Sequence, residues 1–200
     1  LITLGASYVV RLYISKIGGI ADVGLYNAGF AIISTYVGLV FSAMATDYYP
    51  RLAGVSHDNK KSAELINQHA EIAILILAPI LCIFLIFIDW VVLILYSDKF
   101  IQVNGMIHYA ALGMYFKAAS WSIGFVLLAK GDSKAFFLNE LLSNVYILIF
   151  NILGYKYLGL NGLGMSFILS YVVYLFQIYF FARYKYKFNF DGDFYKIFLT

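Results

Sequence analysis

A chain of 200 residues that is 62% hydrophobic, 19% aromatic and only 12% charged is excluded from the soluble globular class, where the charged share runs about twice as high. The net charge of +3 does not point to a nucleic-acid partner, because the basic residues are scattered over helix ends instead of gathered on one soluble face. The single cysteine, Cys82, excludes an intrachain disulfide and a cysteine metal cluster.

What remains is an all-α, polytopic integral membrane protein, with the lipid bilayer as its first partner. The chain opens inside an apolar run at Leu1, without an initiator Met or a charged n-region, which reads as a fragment lacking its N-terminal part. Leu1 to about Ser15 is a first helix carrying Thr3, Ser7 and Arg11 on one face at spacing four, too short to span alone. A turn over 16–23 contains Gly18, Gly19 and Asp22. A second helix follows, free of charge from Val23 to Thr46, and is expected to break at Pro50 into the polar loop RLAGVSHDNKKSAELINQH, whose Ser62 to His69 part could form a helical turn or two along the membrane surface. Within it Gly24, Ala28, Ala31, Thr35, Gly38, Ser42 and Ala45 share one face, a stripe that serves as a packing seam or as a cavity wall.

A third apolar run extends from about Ala70 to Tyr96, with Pro79 as an expected kink and Asp89 and Trp90 toward its far end. A fourth, from about Met106 to Ala129, contains Lys117; KGDSK then makes a tight turn. A fifth, from Ala135 to about Leu153, carries Glu140, Asn144 and Asn151 on one face. A sixth, from about Leu163 to Ala182, carries Ser166, Ser170 and Gln177, and ends in a basic, aromatic tail. Interhelical hydrogen bonds account for both polar stripes without any transport role, and a cavity lining is the alternative.

Counting Lys and Arg by loop places nine on one side (Arg51, Lys60, Lys61, Lys130, Lys134, Arg183, Lys185, Lys187, Lys196) and three on the other (Lys16, Lys99, Lys156). The richer side is expected to be cytoplasmic, with both ends of the chain there. Residues 1–200 are thus expected to form one six-transmembrane-helix lobe.

Lys117 lies midway along its helix, where a lysine is costly unless it faces protein or water, and Ala110, Gly113, Ser120 and Gly124 make its face small and polar. Three readings stand: a cavity cation for an anionic substrate, a structural pair with Asp89 or Glu140, or a snorkelled chain. Arg11 is either a snorkelled anchor or a second cavity cation whose planar fork suits a pyrophosphate. Asp89 is a candidate for ion coupling or for a charge pair with Arg11, on depth alone. No catalytic constellation or metal-ligand spacing emerges: His57 and His69 fall on one side and His108 near the other, and Gly159, Gly162 and Gly164 belong to a turn and a helix start. No cofactor is expected.

The arrangement YVVRLYISKIGGIADVGLYNAGFAI, the later YYPRLAG, and LLAKGDSKAFFLNELLSN from Leu127 to Asn144 resemble the bacterial polysaccharide and O-antigen flippases of the multidrug/oligosaccharidyl-lipid/polysaccharide (MOP) exporter superfamily. The resemblance implies two six-helix lobes around a central cavity, of which this chain is the C-terminal one, its own missing N-terminal lobe being the partner. It implies a polyprenyl-pyrophosphate-linked glycan as substrate, crossing the bacterial inner membrane by alternating access. Lys117 and Arg11 would then neutralise the pyrophosphate or acidic sugars, with Glu140 and Asn144 beside them in the cavity. A cation-coupled multidrug exporter of the same superfamily is the alternative, and a non-transporting scaffold of a glycan assembly complex or a membrane-embedded transferase are alternatives of another class.

Overall fold

The computed structural model describes residues 2–199, the side chains of residues 36 and 37 excepted. It is all-α. Helix α1 (Ile2–Ile32) passes through a π-helical turn (Ile33–Val37) into α2 (Gly38–Gly54); α3 (Asn59–Leu95) follows, then a 3-10 turn (Asp98–Val103), α4 (Asn104–Ala129), α5 (Ser133–Tyr186) and the short α6 (Gly192–Leu199). Among the described residues, four helical stretches are long and apolar enough to cross a membrane: Ile2–Gly54, Asn59–Leu95, Asp98–Ala129 and Ser133–Tyr186.

Two of these stretches fold back on themselves at a glycine. Gly19 (φ 86°, ψ −179°) and Gly159 (φ 59°, ψ −140°) adopt backbone angles closed to L side chains. Around Gly159 the two arms of α5 run antiparallel, since Gln177 Nε2 donates to Asn139 Oδ1 at 2.8 Å and Ser166 Oγ to the Phe150 carbonyl at 2.6 Å. Around Gly19, Arg11 Nε donates to Asn27 Oδ1 at 2.8 Å. The expected turn over 16–23 thus contracts to one residue, and Leu1 lies outside the described residues.

Close backbone approach holds the arms together. A Cβ on Gly162 would stand 1.9 Å from the Gly154 carbonyl oxygen, and one on Gly164 2.4 Å from that of Met106 on α4. In lipid, where burial of apolar surface between helices gains little, contacts of this kind supply the association energy. The small-residue stripe of the second helix serves that purpose only in part within this chain, with Ala28 buried and Gly38 and Ala45 half-buried. Gly24, Ala31, Thr35 and Ser42 are exposed, and the tight position is the adjacent Gly29, packed on Val103 and Met106.

Two expectations need correction. The helix does not break at Pro50 but runs on to Gly54, because only four residues follow and Arg51 pairs with Asp47 at 3.1 Å across the proline. Residues 59–69, read as a loop with a helical turn or two over 62–69, form continuous helix. Asp58 caps a helix there, accepting from the backbone N–H groups of Lys60 and Lys61, and α3 continues unbroken from Asn59 through Pro79.

The ends of the bundle are each tied across elements. At one end Lys130 donates to the Ser56 carbonyl and, at 2.8 Å, to Asn59 Oδ1, while Asp132 accepts from Lys185 and from the Tyr186 hydroxyl. Asn67 donates to the Asn189 carbonyl at 3.0 Å, which returns the tail to α3. At the other end the Tyr155 hydroxyl donates to Asp22 Oδ2 at 2.5 Å. The tail is folded against the bundle and does not lie apart from it: Phe188 and Phe194 are buried, and Tyr115, near the middle of α4, donates its hydroxyl to the Phe198 carbonyl at 2.9 Å.

Candidate functional site

A cleft of about 220 Å³ opens between α4, both arms of α5 and the start of α1. From α4 it takes Lys117, Ser120, Trp121 and Gly124, residues that the helical period puts on one face. From the first arm of α5 come Glu140 and Asn144, again one turn apart, and from the second arm Tyr171 and Tyr174. Thr3 closes the near edge.

Lys117 is half-buried in this cleft. Its ammonium lies 5.3 Å from the centroid of Tyr171 and 5.6 Å from that of Phe41. Ring faces attract a cation, which offsets part of its desolvation. Neither of the two carboxylate partners considered for it is in place. Among the described residues the ion pairs are Arg51–Asp47, Lys185–Asp132 and Lys196–Asp193, and Lys117 belongs to none of them.

The cleft continues along the bundle axis. Asn144, Tyr171 and Thr3 are shared with a second hollow that adds Asn151, Ser170 and Tyr26, and this adjoins a groove lined by Ser7, Arg11, Asn27 and Ser34. Among the described residues, the buried Ser170 hydroxyl finds no hydrogen-bond partner. Arg11, exposed in the groove, is held by Asn27 and, at 3.4 Å, by Ser7 Oγ. Thr3 and Arg11 are eight residues apart on one helix, so the groove carries its second cation about 12 Å along the axis from the Thr3 edge.

The structure therefore brings Lys117, Glu140 and Asn144 to one cleft and Arg11 to its continuation. It does not bring Asp89. That carboxylate accepts from Asn104 Nδ2, a residue delivered by the 3-10 turn, and lies beside neither Arg11 nor Lys117. Sequence reading missed the aromatic wall. Trp121 stands at i+4 from Lys117 and so was legible from spacing; Tyr171 and Tyr174 come from a distant arm, and only the reversal at Gly159 brings them in. Among the described residues, no three His, Cys, Asp or Glu side chains lie together in a way that could hold a metal ion.

Among solved structures, the chain is similar to the outward-facing conformation of a multidrug resistance MATE family transporter of the MOP superfamily, with a TM-score of 0.75 at 15% identity. The similarity covers 99% of this chain and 48% of that one, so the chain spans about half the transporter's length and shares the fold of one half of it. The chain belongs to the polysaccharide biosynthesis protein family, whose model matches residues 1–105. The fold is that of one half of a multi-pass membrane protein, and the family is one of polysaccharide biosynthesis. No curated protein matches the chain.

Proposed function

We propose that this chain is the C-terminal, six-crossing lobe of a flippase that carries a polyprenyl-pyrophosphate-linked oligosaccharide, such as an O-antigen or capsule repeat unit, across the bacterial inner membrane. The observation that carries the reading is Lys117. A cation half-buried at the middle of a membrane helix, with rings beside it and in no ion pair among the described residues, is an open position for an anion. Arg11, farther along the same groove, offers a second. Glycans do not cross hydrocarbon unaided, since each unpaired polar group costs several kcal/mol, and a polar groove open along its length lets the head group pass while the prenyl tail stays in lipid.

The reversals at Gly19 and Gly159 support six crossings, and the end that carries Arg51, Lys60, Lys61, Lys130, Lys134, Arg183, Lys185 and Lys187 then faces the cytoplasm. An N-terminal lobe of similar build would close the open side of the groove, and rocking of the two lobes would expose it to each side in turn. The direct test reconstitutes the full-length protein in vesicles with an undecaprenyl-pyrophosphate-linked oligosaccharide in both leaflets and follows attack on the glycan by an added glycosidase. Flipping makes nearly all of the lipid accessible; accessibility confined to the outer leaflet, as in protein-free vesicles, rejects the proposal.

One observation favours a second reading. Glu140 and the surrounding rings would also suit a cationic amphiphile, the substrate class of a cation-coupled drug exporter. Uptake of a lipophilic cation by the same vesicles, without glycan flipping, would select it.

A further inference from the structure

Glu140 lines the same cleft as Lys117 from a different helix and, among the described residues, joins no ion pair. Asn144 donates Nδ2 to the Glu140 backbone carbonyl at 2.7 Å, which fixes the amide beside the carboxylate. The remaining wall is aromatic, and its rings are braced. Trp121 sits edge-on to Phe41 at 5.4 Å and to Phe125 at 4.5 Å, while Tyr171 and Tyr174 stand perpendicular at 6.3 Å.

An ionised carboxylate only accepts, and one held among apolar walls recovers its lost hydration only from groups that donate. A ligand that completes this wall therefore brings O–H or N–H groups for Glu140, and apolar faces for the rings. Preorganised rings lose little entropy when a flat face is laid on them. A pyranose ring has both features, hydroxyls around its edge and C–H groups on its faces.

We propose that Glu140 and Asn144, with Trp121, Tyr171 and Tyr174, form a subsite for the sugar nearest the pyrophosphate, in the same cleft as the Lys117 that holds the phosphate. The assignment rests on the flippase reading and adds to it: Lys117 recognises the anion common to all such lipids, and Glu140 recognises the glycan. It also separates Glu140 from a proton or cation carrier, because a hydrogen-bond acceptor need not titrate.

The test uses the full-length protein in nanodiscs and two probes, undecaprenyl pyrophosphate and undecaprenyl-pyrophosphate-linked N-acetylglucosamine, with Kd read by native mass spectrometry. The wild type binds the glycosylated lipid about tenfold or more tighter than the bare one, the worth of hydrogen bonds to a charged group. Glu140→Ala abolishes that preference while its thermal unfolding matches that of the wild type; Glu140→Gln, keeping an acceptor oxygen, retains part of the preference. Lys117→Ala weakens both lipids alike. A preference that survives Glu140→Ala overturns the subsite, and equal loss in the Gln and Ala variants overturns it in favour of a carboxyl that titrates or binds a cation. Failure of either lipid to bind the wild type removes the flippase reading and the subsite with it.

Discussion

Lys130 Nζ donates to Asn59 Oδ1 at 2.8 Å, across a sequence separation of 71 residues. This bond joins the connection between α2 and α3 to the turn between α4 and α5, and the Lys185 contact of Asp132 adds the end of α5. Most of the positive charge in the chain is thereby gathered at one end of the bundle.

Single cysteines introduced at Lys60 and Lys130, after replacement of the native Cys82, will react with an impermeant maleimide from the same side of the membrane. A cysteine at Lys156 will react from the other side. Labelling of positions 60 and 130 from opposite sides contradicts the arrangement of the whole bundle.

Gly162→Val will destabilise the protein severely, because its Cβ would fall 1.9 Å from a backbone oxygen that has no rotamer to yield. Overpacking in a close-fitting core costs about 1–3 kcal/mol, and a collision with backbone belongs at or above the top of that range. Gly24→Val, at an exposed glycine with nothing within 4 Å of a Cβ, is the control. Thermal unfolding in detergent separates the two, and equal melting temperatures would refute the close approach.

The Lys185 ammonium and the Tyr186 hydroxyl, bonded to Asp132, hold its carboxyl below the ordinary value of 3.8. A depressed pKa in the folded state means stability that is present above 3.8 and lost as pH falls through the folded pKa. The pair is partly exposed and screened, so it is worth no more than about 1 kcal/mol. Asp132→Asn will therefore lower the melting temperature slightly at neutral pH, and the gap will close in acid below about 3.8. A gap that does not change with pH would show that the carboxylate charge contributes nothing.

Much of the groove was legible because helical spacing survives folding. Thr3, Ser7 and Arg11, read as one face at intervals of four, do line one continuous track, and Lys117, Ser120 and Gly124 share the cleft. Spacing gives a face but not what covers it. Ala110 and Gly113, on the same reading of α4, are buried, with Gly113 against Phe167, and the small-residue stripe from Gly24 onward is mostly exposed. The helical start of α3 was also present in the sequence, since Ser62, Ile66 and Ala70 recur at intervals of four behind an Asp58 cap, but its charges read as a loop with no more than a helical turn or two over Ser62 to His69. Asp89 failed for another reason: depth along a helix does not give its azimuth, and Asn104 reached it from the next turn.

The central claim is that Lys117 meets the anionic head of a lipid-linked glycan. Export of surface glycan in a strain that depends on the full-length protein tests it most directly, with protein abundance measured in parallel. Lys117→Ala will abolish export at normal abundance, and Lys117→Arg, which keeps the charge, will retain part of it. Normal export by the Ala variant would contradict the account.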